Sequence, residues 1–346
     1  MRQATLRSVA AIAILGVAPP ITWAEVVFAP AVSYPLPLDD STDDTVRALV
    51  AGDWDRDGDL DLAVSSGTIK KAPSVVWVFL NNGDGTFASP LPHPAGNAII
   101  ALATGDLDGD GYLDIVAANN ERIFNSVTVL LNNGNDESGI WLGFSPPTDY
   151  SSGEGQEGQN AITIGDLSGD GHLDIATANR NLGTVSILVN SGNGTFGIPI
   201  LLDVAPLPQG IVAADLDDTV GLDLVTANID TGPGSVSVLL AEAAMTFAQP
   251  MNYPVGGSPT SVVSGDWDED DDLDLAVANS QNDGVTVLWN DGRGGFDEQS
   301  SFGSGTLRDV KRQLLLPTND NKKSPVGVHR KFSGRSGAAQ PQRGAR

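Results

Sequence analysis

Asp106, Asp108, Asp110 and Asp114 lie within the stretch GDLDGDGYLDIVAAN, which runs from Gly105 to Asn119. Carboxylates this close repel one another unless a cation neutralises them. Counting Asp106 as position 1, the acids occupy positions 1, 3, 5 and 9, Gly111 is at 6, and Tyr112 at 7 can offer its backbone carbonyl. Alternate side chains wrapped round one centre, with glycine at the sharp turn, describe a calcium loop. Ca²⁺ takes about six to eight hard oxygen ligands in flexible geometry, whereas Mg²⁺ demands a tighter octahedron and keeps its water. An EF-hand starts the same way but needs a bidentate Glu at position 12. That position holds Val64, Ala117, Thr177, Thr226 and Val277 in the five copies described next, inside apolar runs that read as strands.

The loop recurs in phase. Its first aspartates are Asp53, Asp106, Asp166, Asp215 and Asp266, spaced 53, 60, 49 and 51 residues apart. The first copy matches in full, with Asp53, Asp55, Asp57 and Asp61 and Gly58 at position 6. The third has Asp166, Ser168, Asp170 and Asp174; a serine oxygen binds more weakly or through water. The fourth keeps Asp215, Asp217 and Asp223 but has Thr219 at 5 and Val220 at 6, so its occupancy is left open. The fifth has Asp266, Asp268, Asp270 and Asp274, with Asp271 where glycine is wanted, which implies a strained turn. The bland alternative is that Asp-Gly turns are merely solvated turns; five in register argue for metal sites.

A period near 50 is the size of a four-stranded propeller blade. Each acidic loop leads into an apolar strand and then an alternating one, as in TVSILVN, where Val185, Ile187 and Val189 share a face. Next comes an Asn/Asp/Gly turn such as NNGDGTF or NSGNGTF, suited to the positive φ of hairpins. The Phe after it opens a Pro-bearing outer strand: FASPLPHP from Phe87, FSPPTDY from Phe144, FAQPMNYP from Phe247. The turn NNGNDESGIWLGF from Asn132 is longer, and AEAAMTF from Ala241 has lost the turn chemistry. VFAPAVSYP from Val27 matches an outer strand with no blade before it. It is expected to complete the last blade and close a ring; otherwise the array is an incomplete ring of six or seven blades. FDEQSSFG from Phe296 reads as one more outer strand. The fold class is therefore all-β, a propeller with about five blades over residues 25–306.

Residues 1–24 read as an export signal, with Arg2 and Arg7 ahead of the apolar run VAAIAILGVA. Residues 307–346 hold no repeat. They carry ten of the chain's 19 Lys and Arg, and disorder is expected there; a functional basic arm and a shifted or truncated gene end are both open. The formal charge of −25 makes nucleic acid and anionic membranes poor partners. With no Cys, disulfides, thiolate metal sites and thiol nucleophiles are excluded, which leaves divalent metal as a staple outside the cell. The expected location is secreted, periplasmic or at the cell surface.

The stretch DLDGDGYLDIVAAN and its four relatives resemble the FG-GAP/VCBS repeat, the unit of integrin α-subunit propellers and of many secreted bacterial proteins. The resemblance covers roughly Val27 to Phe302 and implies structural Ca²⁺ in each loop between the first two strands of a blade. It implies as ligands the aspartates above together with the backbone carbonyls of Asp59, Tyr112, His172, Gly221 and Asp272, for about four to five ions. It also implies an adhesion-type role. Catalytic groupings are thin. His93 stands where other units have Tyr and reads as a surface filler, His172 is at loop position 7, His329 is in the tail, and no nucleophile elbow, phosphate loop or HExxH occurs. The expectation is a non-enzymatic, monomeric binder of an extracellular protein or glycan. A Ca²⁺-dependent, lyase-like polysaccharide enzyme and a truncated product without activity are the alternatives. Trp54, Trp141 and Trp267 are candidates for stacking on sugars or for packing between blades.

Overall fold

The computed structural model describes residues 31–37, 45–68, 71–120, 125–153, 158–219, 221–230, 232–281 and 284–303. The expected export signal at 1–24 and the basic tail at 307–346 lie outside them. Five four-stranded antiparallel sheets follow one another along the chain, each ordered as its strands occur in sequence. Blade one is β1 (Thr45–Gly52), β2 (Asp61–Thr68), β3 (Lys71–Phe79) and β4 (Leu91–Ala95). Blade two is β5 (Ile99–Gly105), β6 (Asp114–Asn120), β7 (Asn125–Leu130) and β8 (Thr148–Ser151). Blade three is β9 (Gln159–Gly165), β10 (Asp174–Asn179), β11 (Thr184–Leu188) and β12 (Ile200–Asp203). Blade four is β13 (Pro208–Ala214), β14 (Asp223–Asn228), β15 (Ser235–Leu239) and β18 (Met251–Pro254). Its altered turn forms the small hairpin β16 (Ala241–Ala243) and β17 (Thr246–Phe247). Blade five is β19 (Pro259–Gly265), β20 (Asp274–Asn279), β21 (Gly284–Trp289) and β22 (Glu298–Gly303).

Register explains the loop spacing. The last residue of each first strand pairs with the position-9 aspartate that opens the second: Gly52 with Asp61, Gly105 with Asp114, Gly165 with Asp174, Ala214 with Asp223, Gly265 with Asp274. Each acidic loop is thus the connection between two hydrogen-bonded neighbours.

In blades three and four the second and third strands, such as DIATAN and TVSIL, are buried at every position, while outer strands such as TDYS are mostly exposed. Strands buried on both faces are what face-to-face blade stacking produces. Of the five clusters of the core, four lie one at each seam between consecutive blades, and the fifth gathers Val64, Trp77 and Phe79 of blade one with Tyr34 and Leu36. At the seam between blades one and two, Trp54, Val76 and Val78 meet Ile99, Ile115 and Leu130.

First strands pack in series, β1 on β5, β5 on β9, β9 on β13 and β13 on β19. No comparable packing joins β19 to β1, so the described residues show no closed ring. The expectation that the N-terminal segment completes the last blade is corrected. β22 already fills the outer position there, pairing from Gly284↔Gly303 to Trp289↔Glu298. Residues 31–37 lie on blade one instead, where the Tyr34 ring meets Phe87 and Phe79 edge-on at 5.4 and 6.2 Å.

Candidate metal centres

Each loop is coiled by its own carboxylates. At position 1, Asp106 accepts from the amides of Gly109 (2.8 Å) and Gly111 (2.9 Å), and Asp166 from those of Gly169 (2.7 Å) and Gly171 (2.9 Å). At position 5, Asp57, Asp110, Asp170 and Asp270 accept from the amide two residues on, at 2.8–3.1 Å. These short-range bonds turn the chain every second residue, which brings the side chains at 1 and 3 toward one centre. Position 4 carries a positive φ in all five loops, at Arg56, Gly109, Gly169, Asp218 and Glu269. Position 6 does so at Gly58, Gly111 and Gly171, and at Asp271 (φ 75°), the strained substitution expected from the sequence. In the fourth loop Gly221, one place later, holds φ 94°.

The position-9 aspartates are buried and stapled. Asp114 accepts from Leu107 N with one oxygen and from Asn132 N with the other, both at 2.7 Å. Asp61, Asp174, Asp223 and Asp274 repeat the arrangement. Each therefore ties its loop to the strand-three turn of the same blade. Burial pushes these acids up, to about 7 for Asp114 and about 6 for Asp61 and Asp223; the amide bonds oppose this, and neighbouring aspartates add to it. Asp268 is raised to about 6 by burial and then by Asp274 and Asp270. Asp55 and Asp108 are raised too, first by burial and also by the acids beside them, with local amide bonds opposing. The loops hold more negative charge than their surroundings compensate.

Carboxylate oxygens come within 4.8 Å of one another in four groups: Asp53, Asp55 and Asp57; Asp106, Asp108 and Asp114; Asp215, Asp217 and Asp223; Asp266, Asp268 and Asp274. Asp61, Asp110 and Asp270 stand outside their loops' groups, and the third loop, with Ser168 at position 3, forms no three-acid group among the described residues. The fourth loop, left open by its sequence, does gather its acids. At position 7 the side chains of Asp59, Tyr112, His172 and Asp272 lie against Gly83, Gly134, Gly192 and Gly292, leaving no room for a Cβ there. A hard cation fits this donor set. All donors are oxygens, and Asp53 Oδ1 is a buried oxygen that accepts no hydrogen bond.

Three features went unread in the sequence. The turn asparagines are inter-blade clamps: Asn132 Nδ2 donates to Leu113 O in its own blade and to Trp54 O in the blade before, both at 3.0 Å. Asn190 and Asn290 do the same at 2.7–3.0 Å. Their recurrence as LNN, VNS and WND was the available signal. The asparagines closing AAN, TAN and VAN are buried, and each donates to a Ser or Thr hydroxyl of strand three. Arg56 leans from the first loop over the Tyr112 ring, 4.1 Å from its centroid, and donates to Gly111 O of the second.

Of the aromatic candidates, Trp54 is fully buried between blades and cannot stack on a sugar. Trp141 is half-buried against His93 and Phe144 and donates to Asn132 Oδ1 at 2.8 Å. His93 is likewise a packed wedge rather than a surface filler, and burial pushes its pKa down. Trp267 is half-buried at the end of the array, and the His172 ring is exposed.

The FG-GAP-like repeat matches three overlapping stretches, residues 53–117, 106–177 and 166–226. No curated protein matches the chain. Among solved structures, an Agrocybe aegerita lectin recognising non-reducing terminal N-acetylglucosamine is 19% identical, with a TM-score of 0.48 over 76% of this chain and 66% of that one. A functionally unknown protein from Desulfotomaculum acetoxidans is 14% identical, with a TM-score of 0.48 over 75% of each chain. The V. cholerae biofilm matrix protein Bap1 is 16% identical, with a TM-score of 0.41 over 74% of this chain and 39% of that one.

Proposed function

Because the chain belongs to the FG-GAP-like repeat family, we propose that it is a secreted, calcium-stabilised, non-enzymatic binding module for an extracellular protein or glycan. The observation that carries the calcium part is the repeated loop, in which three acids, at positions 1, 3 and 5 in the first copy and at 1, 3 and 9 in the second, fourth and fifth, converge to within 4.8 Å. In this reading the position-1, -3, -5 and -9 side chains and the position-7 carbonyls hold Ca²⁺, and the ion lifts the repulsion that otherwise opposes loop closure. Bound calcium supplies charge compensation; the residues around it hold the loops rigid.

Rigid loops on a stacked sheet scaffold are suited to recognition. The long hairpin of blade two supports this role: Ile140 and Leu142 project into solvent at 64% and 55% exposure on either side of the anchored Trp141. Arg56, a basic group of the first acidic loop, is engaged by Tyr112 and Gly111 of the second, which favours binding over lyase-type chemistry. No helix among the described residues is long and apolar enough to cross a membrane.

The test is binding of the full chain to glycan and protein arrays in Ca²⁺ and in EDTA, with Ile140→Ser/Leu142→Ser alongside. Calcium-dependent binding lost in the double variant supports the reading. Release of unsaturated sugar from an anionic polysaccharide would replace it with an enzymatic one.

A further inference from the structure

The blade-two hairpin, residues 132–144, is anchored outside its own blade, on the first acidic loop. Three consecutive loop residues make the anchor. At position 2, Trp54 O accepts from Asn132 Nδ2 at 3.0 Å, and at position 3, Asp55 O accepts from Asn135 Nδ2 at 2.6 Å. At position 4, Arg56 crosses to the second loop, donating to Gly111 O and lying 4.1 Å from the Tyr112 ring centroid. That ring lies against Gly134 of the hairpin, where a Cβ would sit 2.7 Å from it. Blades three and five repeat the bond to position 2, from Asn190 to Leu107 O at 2.7 Å and from Asn290 to Leu216 O at 2.8 Å. Among the described residues, only the turn of blade two also bonds a position-3 carbonyl.

The anchor fixes the two apolar side chains that the hairpin displays. Asn132 Oδ1 accepts from Trp141 Nε1 at 2.8 Å and from Gly134 N at 3.0 Å. Asn135 pairs with Trp141 across the hairpin, and Leu142 N donates to Gly134 O at 2.8 Å. Ile140 and Leu142 flank Trp141, so their places are set through Asn132, Gly134 and Asn135. The Asn135 side chain has one hydrogen bond, to Asp55 O; its Oδ1 is buried and accepts none. The same stretch of loop carries a charge problem. Of the four acidic groups, the first alone is made by positions 1, 3 and 5, so Asp53, Asp55 and Asp57 bracket all three anchoring residues. Repulsion among carboxylates within 4.8 Å drives this stretch open. Opening moves the Trp54 and Asp55 carbonyls and withdraws Arg56 from Tyr112.

We propose that metal occupancy of the first loop controls the blade-two hairpin as a binding surface. With Asp53, Asp55 and Asp57 neutralised, Ile140 and Leu142 are held in one arrangement; with those acids uncompensated, the hairpin is released. The control rests on the calcium and hairpin readings above and joins them. Asn135 and Arg56 are its positioning residues, since neither offers a side-chain ligand to the metal. Linkage makes the control reciprocal: a partner seated on Ile140 and Leu142 tightens metal binding at the first loop.

The test is amide exchange of the full chain in EDTA and in about 1 mM Ca²⁺, beside a calcium titration by calorimetry. The Ile140 and Leu142 amides are expected to exchange about tenfold more slowly with Ca²⁺. Asp55→Asn/Asp57→Asn keeps the oxygens that accept from Asp57 N and Asp59 N but removes two of the three charges. In that variant the hairpin's calcium response is lost, while the other loops still take up metal. Asn135→Ala leaves the acids in place and breaks the link: calcium uptake is kept, and the response at Ile140 and Leu142 falls from about tenfold to about twofold, the worth of one net hydrogen bond. Calcium uptake with unchanged hairpin exchange overturns the proposal and leaves the calcium reading standing. A full hairpin response in either variant overturns it in the same way. Absence of calcium uptake overturns the calcium reading, and the proposal with it.

Discussion

Replacing Asn190 by Ala removes one side chain and opens the seam between blades two and three. Its amide bridges Leu107 O (2.7 Å) and Leu173 O (3.0 Å), and its Oδ1 accepts from Gly192 N (3.0 Å) and Gly194 N (3.2 Å). The residue is 2% exposed, so water cannot replace these bonds without opening the seam. A net bond is worth about 1 kcal/mol, and a buried polar group left bare costs about 1–3 kcal/mol, so a loss of about 3–4 kcal/mol is expected. Asn81→Ala is the internal control. Asn81 makes the same local turn, but among the described residues its amide reaches Leu60 O alone and no carbonyl of another blade, and its loss is expected near 1 kcal/mol. Ala241 occupies this place naturally in blade four, so the clamp is not a precondition for folding. The assay is urea unfolding in excess Ca²⁺, followed by tryptophan fluorescence, with the slope compared between variants. Equal losses at Asn190 and Asn81 would refute the reasoning, because the difference between them is the inter-blade bond.

Asp108→Asn keeps an oxygen to accept from Asp110 N but removes charge from the second loop; the calcium-induced rise in melting temperature should shrink while the variant still folds in excess metal, read by calorimetry. Without calcium, stability should fall as pH rises from about 4 to about 7, because Asp61, Asp114 and Asp223 are raised to about 6, 7 and 6 and the folded chain holds protons there that the unfolded chain has released. Calcium affinity should climb through the same window, since the metal needs the carboxylates ionised; melts at pH 5 and 8 with and without metal check both signs. Asp271→Gly relieves a non-glycine residue at φ 75° and should stabilise the chain in EDTA by up to about 1 kcal/mol. Trp54→Ala empties the centre of the first seam and should cost about 3–5 kcal/mol by denaturant melt.

The repeat made much of this fold legible. A 50-residue period, an apolar run after each acidic loop and the segment after each turn Phe, Pro-bearing in blades one to four, locate the four strands of every blade, and FDEQSSFG proves to be an outer strand as read. The loops were legible because their function depends on side-chain type at fixed spacing. Relations between blades were not. Asn132 and Asn190 look like ordinary turn residues, since nothing local says that the amide reaches a carbonyl about 80 residues away. Trp54 looks like an exposed loop aromatic until the next blade covers it. The N-terminal segment carries the outer-strand pattern, but pattern alone does not say which blade it joins. That was decided by the aromatic slot on Phe87 and by β22 having filled the last blade.

Calcium binding itself tests the central claim most directly. Titration of the metal-free full chain with Ca²⁺ by isothermal calorimetry, at near-neutral pH and physiological salt, is expected to give about four to five sites per chain, with the melting temperature rising as they fill. A cooperative melt with no calcium uptake and no shift between EDTA and metal would contradict it, and would make the five acidic loops solvated turns.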